Sequence, residues 1–230
     1  MVFYISLFTA TVMVSISMSL MFFLPYAFHY RMANLWVQYI LWSLYKICGL
    51  RYVVEGAENI SQGNGIILCK HQSAWETIAL QAIFPPQIFI LKREVLWLPF
   101  FGWAMALCDP IAIDRSKKTS SLQQIVKQGI QHLQAGRWVV VFPEGTRVAP
   151  GEAKPYHVGG AMLAQRSGYP VVPVAHNAGE FWARRSIVKY PGVIRVRIGP
   201  PIDTRHMKAK EINQAAQDWI ESQMADLSRG

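Results

Sequence analysis

From Met1 to Tyr30 the chain carries no Lys, Arg, Asp or Glu. Its run VFYISLFTATVMVSISMSLMFFLP is longer than the roughly 20 apolar residues that crossing a bilayer requires. A cleaved secretory signal would open on a cationic residue, have a shorter apolar core and leave through a small-x-small exit. The cationic opening is missing, and only Ser-rich steps such as Ser17 and Ser19 offer small residues, so a retained membrane anchor is expected. Arg31, Lys46 and Arg51 all follow the run and no basic side chain precedes it. The positive-inside bias then places the remainder on the cytoplasmic face of the inner membrane. Cys48, Cys69 and Cys108 are odd in number, widely spaced and free of any CxxC pattern, which suits unpaired thiols in a reducing compartment.

A second helix is expected over residues 31–48. Arg31, Asn34, Gln38 and Lys46 share one face, and Trp36, Tyr39, Trp42 and Tyr45 supply amphipathic rings suited to a lipid interface. Residues 1–50 thus read as a pair of membrane-anchoring helices. Beyond them the pattern changes to short β-like runs, RYVVEG, GIILCK, IFILK, PIAID, WVVVFP, VVPVA and IRVRIG, alternating with helical ones. Leu122, Ile125, Val126, Gly129, Ile130 and Leu133 mark one helix face, and Ile212, Ala215, Ala216, Trp219 and Leu227 another. Residues 51–230 are therefore expected to form one α/β domain, a mostly parallel or mixed sheet flanked by helices. Ligands of such sheets gather where strands end and loops begin.

Three stretches offer chemistry. In KHQSAWET, His71 follows the apolar run GIILCK, and Glu76 lies one turn into the next helix. Ser73 and Glu76 have the spacing of a capping box, in which Glu76 does no more than accept a backbone N–H. The competing reading has Glu76 accept Nδ1–H of a neutral His71, leaving Nε2 as a base. In VVVFPEGTR, a strand ends at Pro143 and is followed by Glu144, Gly145, Thr146 and Arg147; glycine permits close backbone approach, and Thr146 and Arg147 offer donors for a phosphate. In PIAIDRSKK, Arg115 follows another strand, with Lys117 and Lys118 behind it. Each of the last two, taken alone, also reads as a solvated loop.

Cys69 lies two residues before His71, but a cysteine in an apolar strand reads first as packing. No GxSxG provides a serine nucleophile. The six histidines show no HExxH or Cys/His ligand spacing, so neither a metal nor another cofactor is expected. Gly159 and Gly160, opening a helix after His157, suit close packing or phosphate approach.

In the order HQSAWE, AIDR, FPEGTR and VVPVA, across residues 65–176, these segments resemble the glycerolipid acyltransferase family, and FPEGTR matches at all six positions. The family's usual acid is aspartate, where this chain has Glu76. The resemblance implies acyl transfer from an acyl thioester, acyl-CoA or acyl-carrier protein, to the hydroxyl of lysophosphatidic acid, giving phosphatidic acid at a membrane. It implies that His71 is the base and Glu76 its partner, and that Arg115, Glu144, Gly145, Thr146 and Arg147 hold the acceptor, with Glu144 accepting from an acceptor hydroxyl or positioning Arg147. The formal charge of +9 fits such anionic partners. A different lysolipid acceptor, such as a lyso-aminolipid, or a membrane-tethered lipid-binding protein without catalysis are the alternatives. Nucleic acid is not an expected partner, because the basic residues are scattered and carry no recognition motif.

Overall fold

The computed structural model describes residues 1–60 and 63–227. Two helices open the chain, α1 (Val2–Leu20) and α2 (Tyr26–Cys48), and Gly49 ends the second in the left-handed conformation, its N–H bonded to the Tyr45 carbonyl. There follow β1 (Leu50–Glu55), β2 (Ile66–Cys69), α3 (Trp75–Ile83), β3 (Gln87–Lys92), α4 (Phe101–Leu107), β4 (Ile111–Ile113), α5 (Lys118–Gln134) and β5 (Trp138–Val141). The chain continues through α6 (Gly159–Ser167), β6 (Val171–His176), α7 (Ala178–Phe181), β7 (Gly192–Ile198) and α8 (Ala209–Leu227). Each of the seven apolar runs expected to be a strand is one.

The strands form one sheet in the order β1-β7-β6-β2-β5-β3-β4. Every neighbouring pair is parallel except β6 with β7, so the sheet is mixed. The central strands β2, β5 and β6 are buried along their whole length, which accounts for their continuous Ile, Val and Leu composition. Strand alternation then sorts side chains to two cores. Ile66, Leu68, Val139 and Val171 face α5, α6 and α8, while Ile67, Cys69, Val140 and Val172 face α2 and α3. Gly160 serves packing: a Cβ there would lie 2.7 Å from Leu68 Cδ2, so α6 rides directly on the sheet.

The N-terminal helices belong to this architecture. Phe3, Val37, Ile40, Leu41 and Leu44 are buried in the same core as β2 and α3, and Phe3 meets Trp182 edge-on. The two helices bond through small polar side chains, Ser6 to Tyr39 and Ser43, and Thr11 to the Trp36 indole N–H. Helix α2 begins five residues earlier than expected, after Pro25, and divides its faces: the core side is buried, while Tyr39, Trp42 and Tyr45 are exposed beside Arg31, Gln38 and Lys46. Helix α1 is long and apolar enough to cross a membrane, and Ile5, Phe8, Met13, Ile16 and Leu20 are exposed on it.

Candidate active site

Strand β2 ends at Cys69, and the Lys70 N–H extends its ladder by bonding the Val174 carbonyl at 3.0 Å. His71 is the first side chain past this edge, at 15% exposure. Its carbonyl accepts from the Val148 N–H at 2.8 Å, and its ring stacks on Phe142 with centroids 4.1 Å apart, so backbone and ring are both held. The loop then turns into α3, where Glu76 points back to the strand end.

Glu76 resolves the two readings of HQSAWE by satisfying both. Its Oε1 accepts His71 Nδ1–H at 2.8 Å and also the N–H groups of Gln72 at 3.0 Å and Ser73 at 2.8 Å. Oε2 accepts a second contact from the Ser73 N–H at 3.1 Å, and Ser73 Oγ accepts from the Trp75 N–H. The helix start and the histidine share one carboxylate. Burial pushes the Glu76 carboxyl upward, but the His176 and His71 imidazoles and the Ser73 N–H outweigh it and hold the group below the usual carboxylate range. With Nδ1 committed as donor to Glu76, Nε2 is the other ring nitrogen of His71, a residue that lines the cavity described below.

His176, at the end of β6, backs this pair. Its Nε2–H donates to the Lys70 carbonyl at 2.9 Å, Nδ1 accepts from the Ala178 N–H, and burial pushes the imidazole below its usual range against the opposing pull of Glu76. Beneath His71 lies a charged cluster that sequence reading passed over. Lys70 Nζ, fully buried, sits 2.7 Å from Glu221 of α8 and 3.5 Å from Glu144, and donates to the Glu152 carbonyl. A lysine just beyond a strand reads as a solvent-facing edge. Only the return of α8 beneath the strand end, from far along the chain, makes it a buried one.

The FPEGTR turn divides. Arg115 and Arg147 line the cavity beside His71, and Arg115 Nη1 donates to the Gly145 carbonyl while Arg184 Nη1 donates to the Arg147 carbonyl. Gly145 has φ +65°, and a Cβ there would lie 2.8 Å from His157 Cδ2, so glycine is needed for the turn itself. Thr146 is half-buried and, like Gly145, does not line the cavity. Glu144 departs from expectation altogether. It is buried and turned inward, with Oε1 facing Lys70 and accepting the His71 N–H at 3.4 Å, so it neither meets a ligand in the cavity nor holds Arg147. Burial, only partly offset by Lys70, pushes its carboxyl up to about 7. The reason is steric: Gly145 redirects the chain, and the preceding side chain falls beneath the strand ends.

Beside this edge opens a cavity of about 460 Å³, predominantly apolar, walled by α1, α2, α3, α4 and β3. His71, Phe142, Arg115 and Arg147 lie on its wall. Among the described residues no cluster of three or more His, Cys, Asp or Glu has metal-binding geometry.

A buried carboxylate orienting an imidazole, with cations and an apolar cavity alongside, defines an enzyme site of the histidine–acid type on an α/β scaffold. A family model described as Acyltransferase matches residues 51–177. The chain is 44% identical over 209 residues to the 1-acyl-sn-glycerol-3-phosphate acyltransferase of Pseudomonas aeruginosa, covering 89% of this chain and 81% of that one. It is 33% identical over 183 residues to the 1-acyl-sn-glycerol-3-phosphate acyltransferase of Saccharomyces cerevisiae, covering 77% of this chain and 60% of the yeast protein. In fold it matches the crystal structure of the 1-acyl-sn-glycerophosphate (LPA) acyltransferase PlsC from Thermotoga maritima, with a TM-score of 0.82 over 98% of this chain and 93% of that one, at 22% identity. The chain belongs to the acyltransferase family, as its HQSAWE and FPEGTR segments led one to expect.

Proposed function

We propose that the protein transfers a fatty acyl chain from acyl-CoA or acyl-carrier protein to the free hydroxyl of lysophosphatidic acid, releasing phosphatidic acid and the free thiol. The observation that carries this is the His71–Glu76 pair, 2.8 Å apart, opening onto an apolar cavity flanked by Arg115 and Arg147. Nε2 of His71 takes the acceptor's hydroxyl proton as its oxygen attacks the thioester carbonyl. Collapse of the adduct breaks the C–S bond, and the proton passes from Nε2 to the departing sulfur. The imidazolium formed between these steps faces the ionised Glu76, which stabilises it without taking the proton. Arg115 and Arg147 supply fixed positive charge for the acceptor's phosphate, and the cavity receives an apolar chain. The relatives named for this same reaction support the choice of acceptor.

The setting we propose is the cytoplasmic face of the inner membrane. Helix α1 turns one face to the domain and presents a charge-free apolar face outward, while Arg31, Lys46 and Arg51 follow it. In this arrangement residues 1–50 anchor the enzyme and residues 51–230 carry the chemistry, with the acceptor drawn from the bilayer. The test uses purified full-length protein with a labelled acyl thioester and lysophosphatidic acid. Phosphatidic acid should form, and His71→Ala should lower kcat by about a thousandfold or more while leaving membrane association unchanged. Product formation undiminished in His71→Ala would refute the mechanism.

A further inference from the structure

Between α7 and β7 the chain makes a loop, residues 182–191, whose outer part takes no share in the acyl-transfer chemistry. Strand β7 runs antiparallel to β6 and parallel to β1, so the starts of β7 and β1 lie at the edge where β6 ends and His71 follows β2. The loop closes at its neck, where the Tyr190 N–H donates to the Phe181 carbonyl at 2.9 Å. Its tip carries Ile187 at 77% exposure, with Val188 and Tyr190 exposed beside it. Single apolar side chains on a surface need no explanation, but three within four residues call for a partner.

The backbone of the tip is prepared for an apolar surrounding. Ser186 Oγ accepts from the Val188 N–H and donates to the Val188 carbonyl, each at 3.1 Å, and the Ile187 carbonyl accepts from Lys189 Nζ at 3.2 Å. These polar groups are met from within the loop, as a segment entering lipid requires. The Lys189 ammonium lies among the rings of Tyr4, Trp182 and Phe3, at 3.7, 4.3 and 4.9 Å from their centroids. Tyr4 Oη–H also donates to the Ser186 carbonyl at 3.4 Å. The loop is thereby fastened to the first turn of α1, where Val2 and Ile5 are exposed as well.

Charge around the tip has one sign. Residues 26–54 and 181–193 contain no Asp or Glu, and Lys46, Arg51, Arg184 and Arg185 are exposed. The two segments are neighbours: the Gly49 carbonyl accepts from the Gly192 N–H at 3.1 Å, and Arg51 is in register with Val193. Lys46 and Arg51 both lie against the ring of Tyr45. Tyrosines and cations beside apolar side chains suit the headgroup level of an anionic bilayer. Arg185 adds a positional clue, since it holds the left-handed conformation at φ 62°, where an arginine is strained.

We propose that residues 184–190 form a second membrane contact, seating Ile187 and Val188 in the apolar boundary of an anionic phospholipid bilayer while Arg185, Lys46 and Arg51 meet lipid phosphates. This rests on the reading that α1 and α2 hold the protein at a bilayer. Seated so, the loop fixes the depth of the active site, because Arg184 Nη1 holds the Arg147 carbonyl and the Trp182 carbonyl accepts from Ser73 Oγ at 2.6 Å.

Full-length protein carrying Ile187→Cys is labelled with a polarity-sensitive fluorophore and reconstituted into phosphatidylcholine vesicles with or without phosphatidylglycerol. The signal of the parent, treated identically, is subtracted for its own cysteines. In the anionic vesicles the emission should shift to the blue and quenching by acrylamide, a neutral solute, should fall sharply. A label at Lys210→Cys, exposed on α8 across the sheet from α2, should stay open to acrylamide. Arg185→Gly relieves the backbone and removes one cation; it should cut the seated-to-free ratio of the label on the order of fivefold in anionic vesicles, with the thermal melt unchanged. A label at 187 as open to acrylamide as the one at 210 overturns the proposal. So does equal protection in both kinds of vesicle, or an Arg185→Gly protein that seats as well as the parent. Protein that sediments with neither kind of vesicle would instead overturn the membrane reading on which this contact rests.

Discussion

Two buried glutamates flank His71, and the protein treats them in opposite ways. Glu76 receives N–H groups from Gln72 and Ser73 and the Nδ1–H of His71, and is held ionised below the usual carboxylate range. Glu144 receives one long N–H contact and a lysine at 3.5 Å, keeps Oε2 unpartnered, and is pushed up to about 7. Each side chain is fully buried, so desolvation alone does not separate them. The difference lies in how many short, directed donors each oxygen meets. A turn of backbone folded around a carboxylate stabilises its charge better than a neighbouring cation shared with a second acid.

The sharpest way to break this contrast is Glu76→Gln. Glutamine retains an oxygen for the Gln72 and Ser73 N–H groups, so α3 should form and thermal stability should fall little. The charge facing the imidazolium is gone, however, and kcat should drop on the order of a thousandfold, about 4 kcal/mol of barrier, with KM for the acceptor nearly unchanged. Steady-state kinetics alongside a thermal melt read both quantities. Activity within tenfold of the parent would mean that Glu76 does no more than cap the helix.

Next in size is Lys70→Met. It leaves the buried Glu144 and the partly buried Glu221 without their shared cation, and breaking such a cluster from one side should remove about 3 kcal/mol of stability. Adding Glu144→Gln should restore part of that loss, measured as a coupling in a double-mutant cycle of denaturant melts. Additive losses would show that Lys70 serves by its packing alone.

These two carboxylates also mark what a reader of the sequence can and cannot see. The His71–Glu76 pair was legible because both residues lie in one continuous turn, where the spacing sets the geometry. The runs of β2, β5 and β6 were legible because strands buried on both faces are apolar throughout. Glu144 was misread as a ligand-facing group because its partner, Lys70, comes from a different strand end, and the inward turn depends on Gly145 and on α8 closing beneath. Strand order, with β6 and β7 inserted between β1 and β2, was likewise hidden, since crossover connections leave no local signature. Helix α4 is seven residues long and follows Leu-Pro-Phe, too short for its periodicity to declare itself.

The contrast has a further signature in pH. The carboxyl of Glu144, raised in the fold from an ordinary 4.5 to about 7, binds a proton more tightly when folded. Its contribution is therefore fully present below about 4.5 and lost as pH rises through 7, a limb on the order of 3 kcal/mol. Glu76, lowered in the fold, contributes stability that is present above its ordinary 4.5 and lost as pH falls through its folded value. Glu144→Gln should flatten the first limb and spare the second in denaturant melts taken from about pH 2 to 8. An unchanged slope between 4.5 and 7 would show that Lys70 fully neutralises Glu144.

The smallest effect is expected from Cys69→Ala, and it separates the two catalytic routes that the motif leaves open. Cys69 lies two residues from His71, so a thiolate attacking the thioester, with the acyl group passing through sulfur, is a chemical possibility. The structure argues against it from three sides. The side chain is fully buried in the core formed with Ile67, Val140 and Val174, and its Sγ–H donates to the Lys70 carbonyl at 3.2 Å. Burial, reinforced by the nearby charges of Glu76 and Glu144, drives the thiol well above its ordinary range, the reverse of what a nucleophilic cysteine needs. Removing one sulfur from this core should lower stability by about 1 kcal/mol, and kcat should stay within about twofold. Loss of activity in a folded Cys69→Ala enzyme, with a labelled acyl group trapped on the parent protein, would move the chemistry from the imidazole to the sulfur.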